Sequence, residues 1–306
     1  MKQGVLLSVF SSALFALLYY YVTVLQPLGG DEVFAWRVIL ALPALALVIS
    51  RARGWPEVMA VGRRFCTDWR FAGLLVLSAA LIGTQLWLFV WAPLHQKALD
   101  VSMGYFLLPL VMVLTGRLFY KERLSRIQTV AVAIAAAGVM HELMTVSRFS
   151  WATALVMFGY PPYFMLRRHL RIGSFSTLWF DMALLAPAAA YVLYSQDHAV
   201  WHAFAVQPRL VLLVPVMGLI SSVALVSYIS ASRMLPLGLF GILGYVEPIL
   251  LFWVALLLLN EPVSAQAWFT YVPIWIAVGL IVIEGFMAWR REASQPGGRG
   301  NKKRPV

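Results

Sequence analysis

The chain has 306 residues, of which 61% are hydrophobic and only 12% are charged, and its mean hydropathy is +0.80. This composition excludes an ordinary soluble domain, because lipid must surround most of the apolar surface. The net charge of +11 is spread over short loops and a tail. Attraction to an anionic inner leaflet accounts for that charge, and nucleic acid is not an expected partner.

Ten segments are apolar enough to cross a hydrocarbon layer of about 30 Å as helices, which takes about 17–25 residues. Leu, Val, Ala, Ile and aromatic residues dominate each segment. The sequence therefore predicts an all-α integral membrane protein. The predicted spans cover residues 4–25, 33–49, 71–91, 101–120, 127–144, 151–166, 175–194, 210–229, 237–259 and 267–289.

Lys and Arg are concentrated in alternate loops between these spans. If residue 1 lies in the cytoplasm, twenty of the 24 basic residues fall on the cytoplasmic side. Lys97, Arg148 and Arg209 fall on the other side, and Arg37 lies within span two. This asymmetry predicts a multi-pass protein with both termini in the cytoplasm. Residues 291–306 have a polar, basic composition that predicts a disordered cytoplasmic tail.

A proline, a glutamate and a serine recur in both halves of the chain with an offset of 139 residues. The pairs are Pro109 and Pro248, Glu122 and Glu261, and Ser125 and Ser264. They predict a duplication, with one five-helix repeat over residues 1–149 and a second over 150–290. Because five is odd, the second repeat enters the membrane inverted, as in many carriers. The paired glutamates are expected to cap helix ends or bond neighbouring loops.

Six motifs along the chain carry a resemblance to a known family. They are DEVFAWRV at 31–38, the segment 81–92, SMGYFLLPL at 102–110, YKERL at 120–124, GYVEP at 244–248 and NEP at 260–262. In these motifs the chain resembles the RarD branch of the EamA permeases, in the drug/metabolite transporter (DMT) superfamily. It departs from the family pattern at Gln85 and Leu86, where Asn-Trp is usual, and at Glu247, where a small residue is common.

The resemblance implies an EamA-like secondary transporter in the bacterial inner membrane. It implies export of small amphiphilic or zwitterionic metabolites by alternating access. The family's substrates suggest amino acids, amino-acid-derived compounds including metallophore-like opines, or antibiotics. Proton-coupled transport and an uncoupled facilitative permease are both open, and a non-transport membrane scaffold is the alternative from another class.

Glu247 is the most informative ionisable residue in the predicted spans. It follows Leu237 by ten residues, so a continuous helix places it about 15 Å deep, near the membrane midplane. An acid at that depth is expected to face a cavity or a partner. It is either a site for a proton or a substrate amine, or a permanently protonated carboxyl group bonded to the backbone.

Arg37 and Asp181 are the other charged candidates within the spans. Arg37 lies four residues from the outer end of span two. It either binds an anion at the outer mouth or extends to the water interface. Asp181, in span seven, is expected to be a cavity residue or a latch between helices.

Four uncharged polar side chains are candidates for a cavity wall, because a buried phenol or amide needs hydrogen-bond partners. They are Tyr105, Tyr160, Tyr245 and Gln85. Three prolines are predicted to break helices, because proline removes a backbone hydrogen bond and crowds the preceding turn. They are Pro109, Pro161, which follows Tyr160 directly, and Pro248.

The sequence contains no pattern that predicts catalysis or a cofactor. The motifs His-Glu-x-x-His and Gly-x-Ser-x-Gly are absent, as are paired catalytic aspartates. Cys66 is the single cysteine, which excludes an intrachain disulfide, and the histidines lack metal-ligand spacing. No metal is predicted. The expected partners are a small-molecule substrate, the lipid bilayer and, if transport is coupled, protons.

The charge asymmetry and the odd repeat predict the side on which each loop lies. A reporter that is active only in the periplasm should be silent when it is fused after Arg291. The same reporter should be active when it is inserted between residues 195 and 207. The reverse pattern of activity would refute both the topology and the inverted duplication.

Overall fold

A computed structural model describes residues 2–121, 125–146, 150–235, 240 and 243–293. Over these ranges the chain is helical, without strands. The helices are α1 (Lys2–Val24), α2 (Gly30–Arg51), α3 (Trp55–Thr67), α4 (Trp69–Trp91), α5 (Ala98–Tyr120), α6 (Arg126–Val146), α7 (Trp151–Leu170), α8 (Ser174–Ser195), α9 (Asp197–Val206), α10 (Leu210–Met234), α11 (Val246–Trp253) and α12 (Trp268–Ala293). A 3₁₀ turn (Ala92–His95) follows α4, and a π-helical turn (Val254–Leu258) follows α11.

Within the described ranges, seven helices are long and apolar enough to cross a membrane. They are α1, α2, α4, α5, α8, α10 and α12. Two shorter apolar helices, Arg126–His141 and Val246–Leu258, fall on predicted spans five and nine. Helix α7 falls on predicted span six and carries Arg167, Arg168 and His169 in its last turn. The protein is therefore an all-helical multi-pass membrane protein.

Two helices, α3 and α9, lie in segments where the sequence predicts loops. In α3, Val58 is buried and the Trp55 ring packs edge-on against Trp179 at 5.1 Å. Glu57 Oε1 accepts a hydrogen bond of 2.8 Å from the backbone N–H of Gly173, just before α8. Apolar residues on one face and charges on the other are typical of a helix at an interface. Helix α3 therefore joins the loops at one end of the bundle.

The helix-break prediction is wrong for two of the three prolines. Pro109 lies inside a continuous α5 and Pro161 inside a continuous α7. One proline removes a single backbone hydrogen bond, and neighbouring helices hold the rest of the turn in place. Pro248 instead lies in the first turn of α11, where its missing N–H has no helical partner.

Some predictions concern residues outside the described ranges, and one predicted span differs from the structure. Glu122 and residues 294–306 lie outside them, while residues 291–293 of the predicted tail continue α12. Span nine was predicted as one helix from residue 237, but α11 begins only at Val246, after a turn at Gly244 and Tyr245.

Close packing between α5 and α7 depends on a small residue. A Cβ atom added at Gly104 would lie 2.6 Å from Val156 Cβ and 3.0 Å from the carbonyl oxygen of Thr153. In lipid, such close approach of backbones replaces the hydrophobic drive that joins helices in water. Helix α7 also packs on α4, while α1 packs on α10 and α11, and α2 packs on α8 and α10.

Trp91 marks one end of the bundle. A Cβ atom at Gly30, the first residue of α2, would lie 3.0 Å from Trp91 Cα. The Trp91 ring lies 5.3 Å from the ring of Trp151, the first residue of α7. Ser150 Oγ donates to Asp100 Oδ2 at 2.7 Å, in the first turn of α5. Helices α2, α5 and α7 therefore all begin at the same end of the molecule.

Glu261 stabilises the start of α5 at this end. Its two carboxylate oxygens accept hydrogen bonds from the backbone N–H groups of Ala98 (2.7 Å) and Leu99 (2.8 Å). These amides have no partner within the helix. The prediction that this glutamate caps a helix end is confirmed.

Glu261→Gln should destabilise the protein by about 1–2 kcal/mol, because one amide loses its charged acceptor and faces an NH₂ group instead. The melting temperature in detergent is the measurement. Glu284→Gln is the matched control, since Glu284 makes no side-chain hydrogen bond within the described part of the chain. Equal melting temperatures for the two variants would contradict the capping role.

Candidate functional site

A cavity of about 680 Å³ lies inside the helix bundle. This volume is within the range of about 300–1,000 Å³ that is typical of small-molecule sites. Aromatic side chains form much of the wall: Phe15, Phe34, Phe89, Tyr105, Tyr160, Tyr163, Phe164, Tyr228, Phe240 and Tyr245. Among the described residues, the charged ones that line it are Arg37, Arg167 and Glu247.

Most of the predicted site residues converge on this cavity. Five polar candidates line it: Arg37, Tyr105, Tyr160, Tyr245 and Glu247. Pro109 and Pro248 line it as well. The remaining candidates are Gln85, Asp181 and Pro161, which are not among the lining residues.

Arg37 is buried, with 8% of its surface exposed. Its Nε–H donates to Ser221 Oγ on α10 at 3.1 Å, and its guanidinium lies 5.1 Å from the centre of the Phe89 ring. The buried Nη1 has no hydrogen-bond partner among the described residues.

Of the two expectations for Arg37, extension to the water interface is wrong, because the side chain is buried at the cavity wall. Binding of an anion at the outer mouth stays a prediction. Helix α2 begins at Gly30, three residues earlier than predicted, so Arg37 lies about 10 Å along it. A buried guanidinium with an unused donor is costly unless an anionic partner arrives.

Glu247 lies in the first turn of α11 and is partly buried at the cavity wall. The positive end of the helix dipole favours an acid at this position. Eleven residues, or about 16 Å of helix, separate Glu247 from Leu258, and its depth in the membrane stays a prediction. Among the described residues Glu247 forms no ion pair, and the pairs that do form are Arg64 with Asp68 and Lys97 with Asp100.

The cavity tyrosines differ in their hydrogen bonding. Tyr105 OH and Tyr160 OH lie 2.9 Å apart and join α5 to α7. Tyr245 OH is buried and finds no partner in the described part of the chain. A buried phenol without a partner has an unused donor and acceptor for a ligand.

Gln85 joins two helices instead of facing the cavity. Its Nε2 donates to the carbonyl oxygen of Leu155 on α7 at 2.9 Å. Gly159, also on α7, leaves the space that the Gln85 amide occupies. Gln85 therefore holds α4 against α7. Pro161 lies on the other side of α7, in an apolar groove of about 550 Å³ between α5, α6 and α7.

Asp181 is the centre of a buried network between three helices. Its Oδ1 accepts a hydrogen bond of 3.3 Å from Ser78 Oγ on α4, and its Oδ2 accepts one of 2.9 Å from Tyr163 OH on α7. Arg167 Nη1 donates to Tyr163 OH at 3.1 Å. Of the two expectations for Asp181, the geometry fits a latch between helices, with Tyr163 and Arg167 between it and the cavity.

Sequence reasoning missed four polar lining residues, Tyr163 and Arg167 on α7 and Ser221 and Tyr228 on α10. On α7 the signal was present, because residues 160, 163, 164 and 167 follow the spacing of one helix face. The adjacent Pro161 and Pro162 suggested a broken helix and concealed this stripe. Ser221 has no comparable signal, since one serine in an apolar helix shows no direction.

The cavity wall carries groups that can bind a small molecule. Within the described residues no group of three His, Cys, Asp or Glu side chains is arranged to hold a metal ion. The cavity presents a guanidinium, a carboxyl group and several phenols on an apolar wall. Such a set fixes the orientation of a small amphiphilic molecule by its polar groups.

No protein-family model matches the chain. The chain is 46% identical to the chloramphenicol-sensitive protein RarD of Pseudomonas aeruginosa, over 95% of this chain and 97% of that protein. It is 40% identical to an uncharacterized transporter of Pasteurella multocida, over 95% and 99%. It is 28% identical to the protein RarD of Salmonella typhi, over 95% and 98%. These similarities extend over nearly the full length of each protein, and they agree with the apolar helices and the internal cavity. The chain therefore belongs to the RarD branch of the EamA family of membrane transporters.

Proposed function

We propose that this protein exports a small zwitterionic or amphiphilic metabolite from the cytoplasm through the central cavity by alternating access. The observation that carries the proposal is the pair Arg37 and Glu247, which line one aromatic cavity without pairing with each other. Amino acids, their derivatives including opines, and amphiphilic antibiotics fit this description. The name of the Pseudomonas aeruginosa relative, which refers to chloramphenicol, keeps antibiotics among the candidates.

The charges support a zwitterion in particular. In a closed ion pair, an arginine and a glutamate satisfy each other and offer little to a ligand. Here Arg37 keeps a buried Nη1 donor, and Glu247 forms no ion pair in the described chain. A carboxylate at Arg37 and an ammonium at Glu247 would neutralise both, while an apolar body contacts the tyrosines and phenylalanines.

The packing of helices supports two inverted five-helix repeats, residues 1–149 and 150–290. In this duplication each helix of the first repeat corresponds to one helix of the second: α1 to α7, α2 to α8, α4 to α10, α5 to α11 and α6 to α12. If every helix is replaced by its counterpart, the contact between α1 and α10 becomes one between α7 and α4. In the same way, α5–α7 becomes α11–α1 and α2–α10 becomes α8–α4, and all of these contacts occur. The additional helices α3 and α9 are mates as well, since each follows the second span of its half. Such a duplication is suited to rocking about a central site.

A panel of matched ligands tests the substrate class on purified protein. L-Phenylalanine carries both charges, L-phenylalaninamide only the ammonium, and 3-phenylpropanoate only the carboxylate. The zwitterion should raise the melting temperature more than either analogue. Other apolar amino acids should likewise raise it more than their own single-charge analogues. Equal effects of zwitterions and their single-charge analogues across the panel would contradict the proposal.

Arg37→Gln should weaken the binding of the stabilising zwitterion at least about tenfold, because a charge-assisted hydrogen bond contributes about 1.5–3 kcal/mol. Arg37→Lys should restore binding only in part, since the planar fork of donors is lost. Titration calorimetry in detergent measures both affinities. Ser221→Ala is a useful control, because it removes the hydroxyl group beside Arg37 without removing the charge. Full affinity of Arg37→Gln would exclude the guanidinium as a ligand.

Glu247→Gln should disturb both proton coupling and the binding of the substrate ammonium. Burial disfavours a carboxylate, so Glu247 can exchange a proton for a cationic substrate group as the cavity opens to either side. The variant keeps the shape of the side chain but fixes the neutral state. It should lose uphill transport driven by a pH gradient in proteoliposomes, and it should exchange a zwitterion more slowly, because the substrate ammonium loses its charged partner.

The same experiment distinguishes the remaining alternatives. Unchanged exchange in Glu247→Gln would mean that the carboxylate serves only the proton and does not bind the substrate. Wild-type exchange without any response to a pH gradient would identify an uncoupled facilitative permease. Absence of exchange in the wild type would favour a scaffold without transport.

A further inference from the structure

Arg167 is the second arginine of the cavity, and it was not among the predicted site residues. It lies in the last turn of α7, is partly buried and faces the cavity. Its Nη1 donates to Tyr163 OH, and its guanidinium carbon lies 5.4 Å from the centre of the Tyr163 ring. Both contacts are with a neutral side chain. Within the described residues Arg167 takes part in no ion pair.

The contacts behind Arg167 position it without neutralising it. Tyr163 OH accepts from Arg167 and donates to Asp181, which is fully buried and also bonded by Ser78. The acid therefore lies behind the phenol, away from the cavity. It stabilises the positive charge from a distance, and the remaining guanidinium N–H groups stay available to a ligand.

Arg37 and Arg167 lie at different depths of the same cavity. Helices α2 and α7 begin at the Trp91 end of the bundle. Arg37 follows the first residue of α2 by seven positions, and Arg167 follows that of α7 by sixteen. At 1.5 Å per residue the two differ by about 13 Å along the helices. A small molecule cannot hold one carboxylate against both arginines at once.

We propose that Arg167 is a second anion-binding ligand of the cavity, positioned by Tyr163 and Asp181, which holds the substrate's carboxylate at the end opposite to Arg37. The inference rests on the proposed transport of a carboxylate-bearing molecule. During this transport, the carboxylate binds one arginine when the cavity opens to one side, and it binds the other arginine when the cavity opens to the opposite side.

The test uses 3-phenylpropanoate and its neutral amide as probes, in nanodiscs of phosphatidylcholine without anionic lipid. The wild type and Arg37→Gln should both bind the carboxylate more tightly than the amide. Adding Arg167→Gln to Arg37→Gln should abolish the remaining preference, a loss of about tenfold. Adding Arg168→Gln should leave it unchanged, since Arg168 neighbours Arg167 but lies over the Tyr120 ring outside the cavity.

A second comparison tests the positioning role of Tyr163 and Asp181. Tyr163→Phe keeps the ring but removes the hydroxyl group, and Asp181→Asn removes the charge. In the Arg37→Gln background each should reduce the preference for the carboxylate several-fold. In the Arg37→Gln, Arg167→Gln background neither should have an effect. A purely structural role would instead lower melting temperature and amide binding equally in both backgrounds.

Arg167→Lys protects the test against misfolding, because it retains the charge and should keep part of the preference. If Arg37→Gln alone abolishes the preference, or if Arg167→Gln leaves it intact, the inference is overturned while the proposed function stands. If the wild type binds the amide as tightly as the carboxylate, the proposed function itself fails. If Arg167→Gln changes only the retention of added phosphatidylglycerol, Arg167 binds a lipid headgroup and the inference is also overturned.

Discussion

The absence of hydrogen-bond partners in hydrocarbon is the constraint on which this structure depends. Polar groups inside the bundle must bond to other helices or face a cavity. Asp181 and Glu261 take the first course, since both oxygens of each carboxylate accept hydrogen bonds and hold helices together. Arg37 and Glu247 take the second course at the cavity wall. Polar groups that are hydrogen-bonded within the protein maintain the fold, whereas polar groups that lack a partner at the cavity wall can bind a ligand.

Seven of the ten spans could be predicted, because length and apolar composition alone decide whether a helix can cross the membrane. The same criterion could not find α3, whose Trp55 and Val58 are apolar on one side only, and it treated both long loops as irregular. Nor could it judge the prolines. Pro109 and Pro161 each cost their helix one hydrogen bond, but the helices around them decide whether the chain continues. Such packing is not visible in a local pattern.

The cavity residues could be predicted where a charged side chain lies within a predicted span. Arg37 and Glu247 were found because charge within a span is costly, and both line the cavity. Gln85 was misplaced for a different reason: sequence position gives depth in the membrane but not direction around the helix axis. Only the structure shows that its amide bonds to Leu155. Arg167 was counted with the cytoplasmic loop because it lies near the end of α7, although its guanidinium reaches back to the cavity.

In the proposed mechanism the charged ligands also explain how substrate and conformation are coupled. Arg37 belongs to the first of the two proposed repeats, whereas Glu247 and Arg167 belong to the second. A zwitterion that bridges Arg37 and Glu247 therefore joins the two repeats, and it makes both contacts only in conformations that bring them together. The binding energy of the ligand therefore differs between the two orientations of the carrier. A ligand can shift the populations of the two orientations only through such a difference. A ligand that contacts one arginine alone lacks this difference, so selectivity for a molecule with two charges and control of the conformational change have the same physical origin.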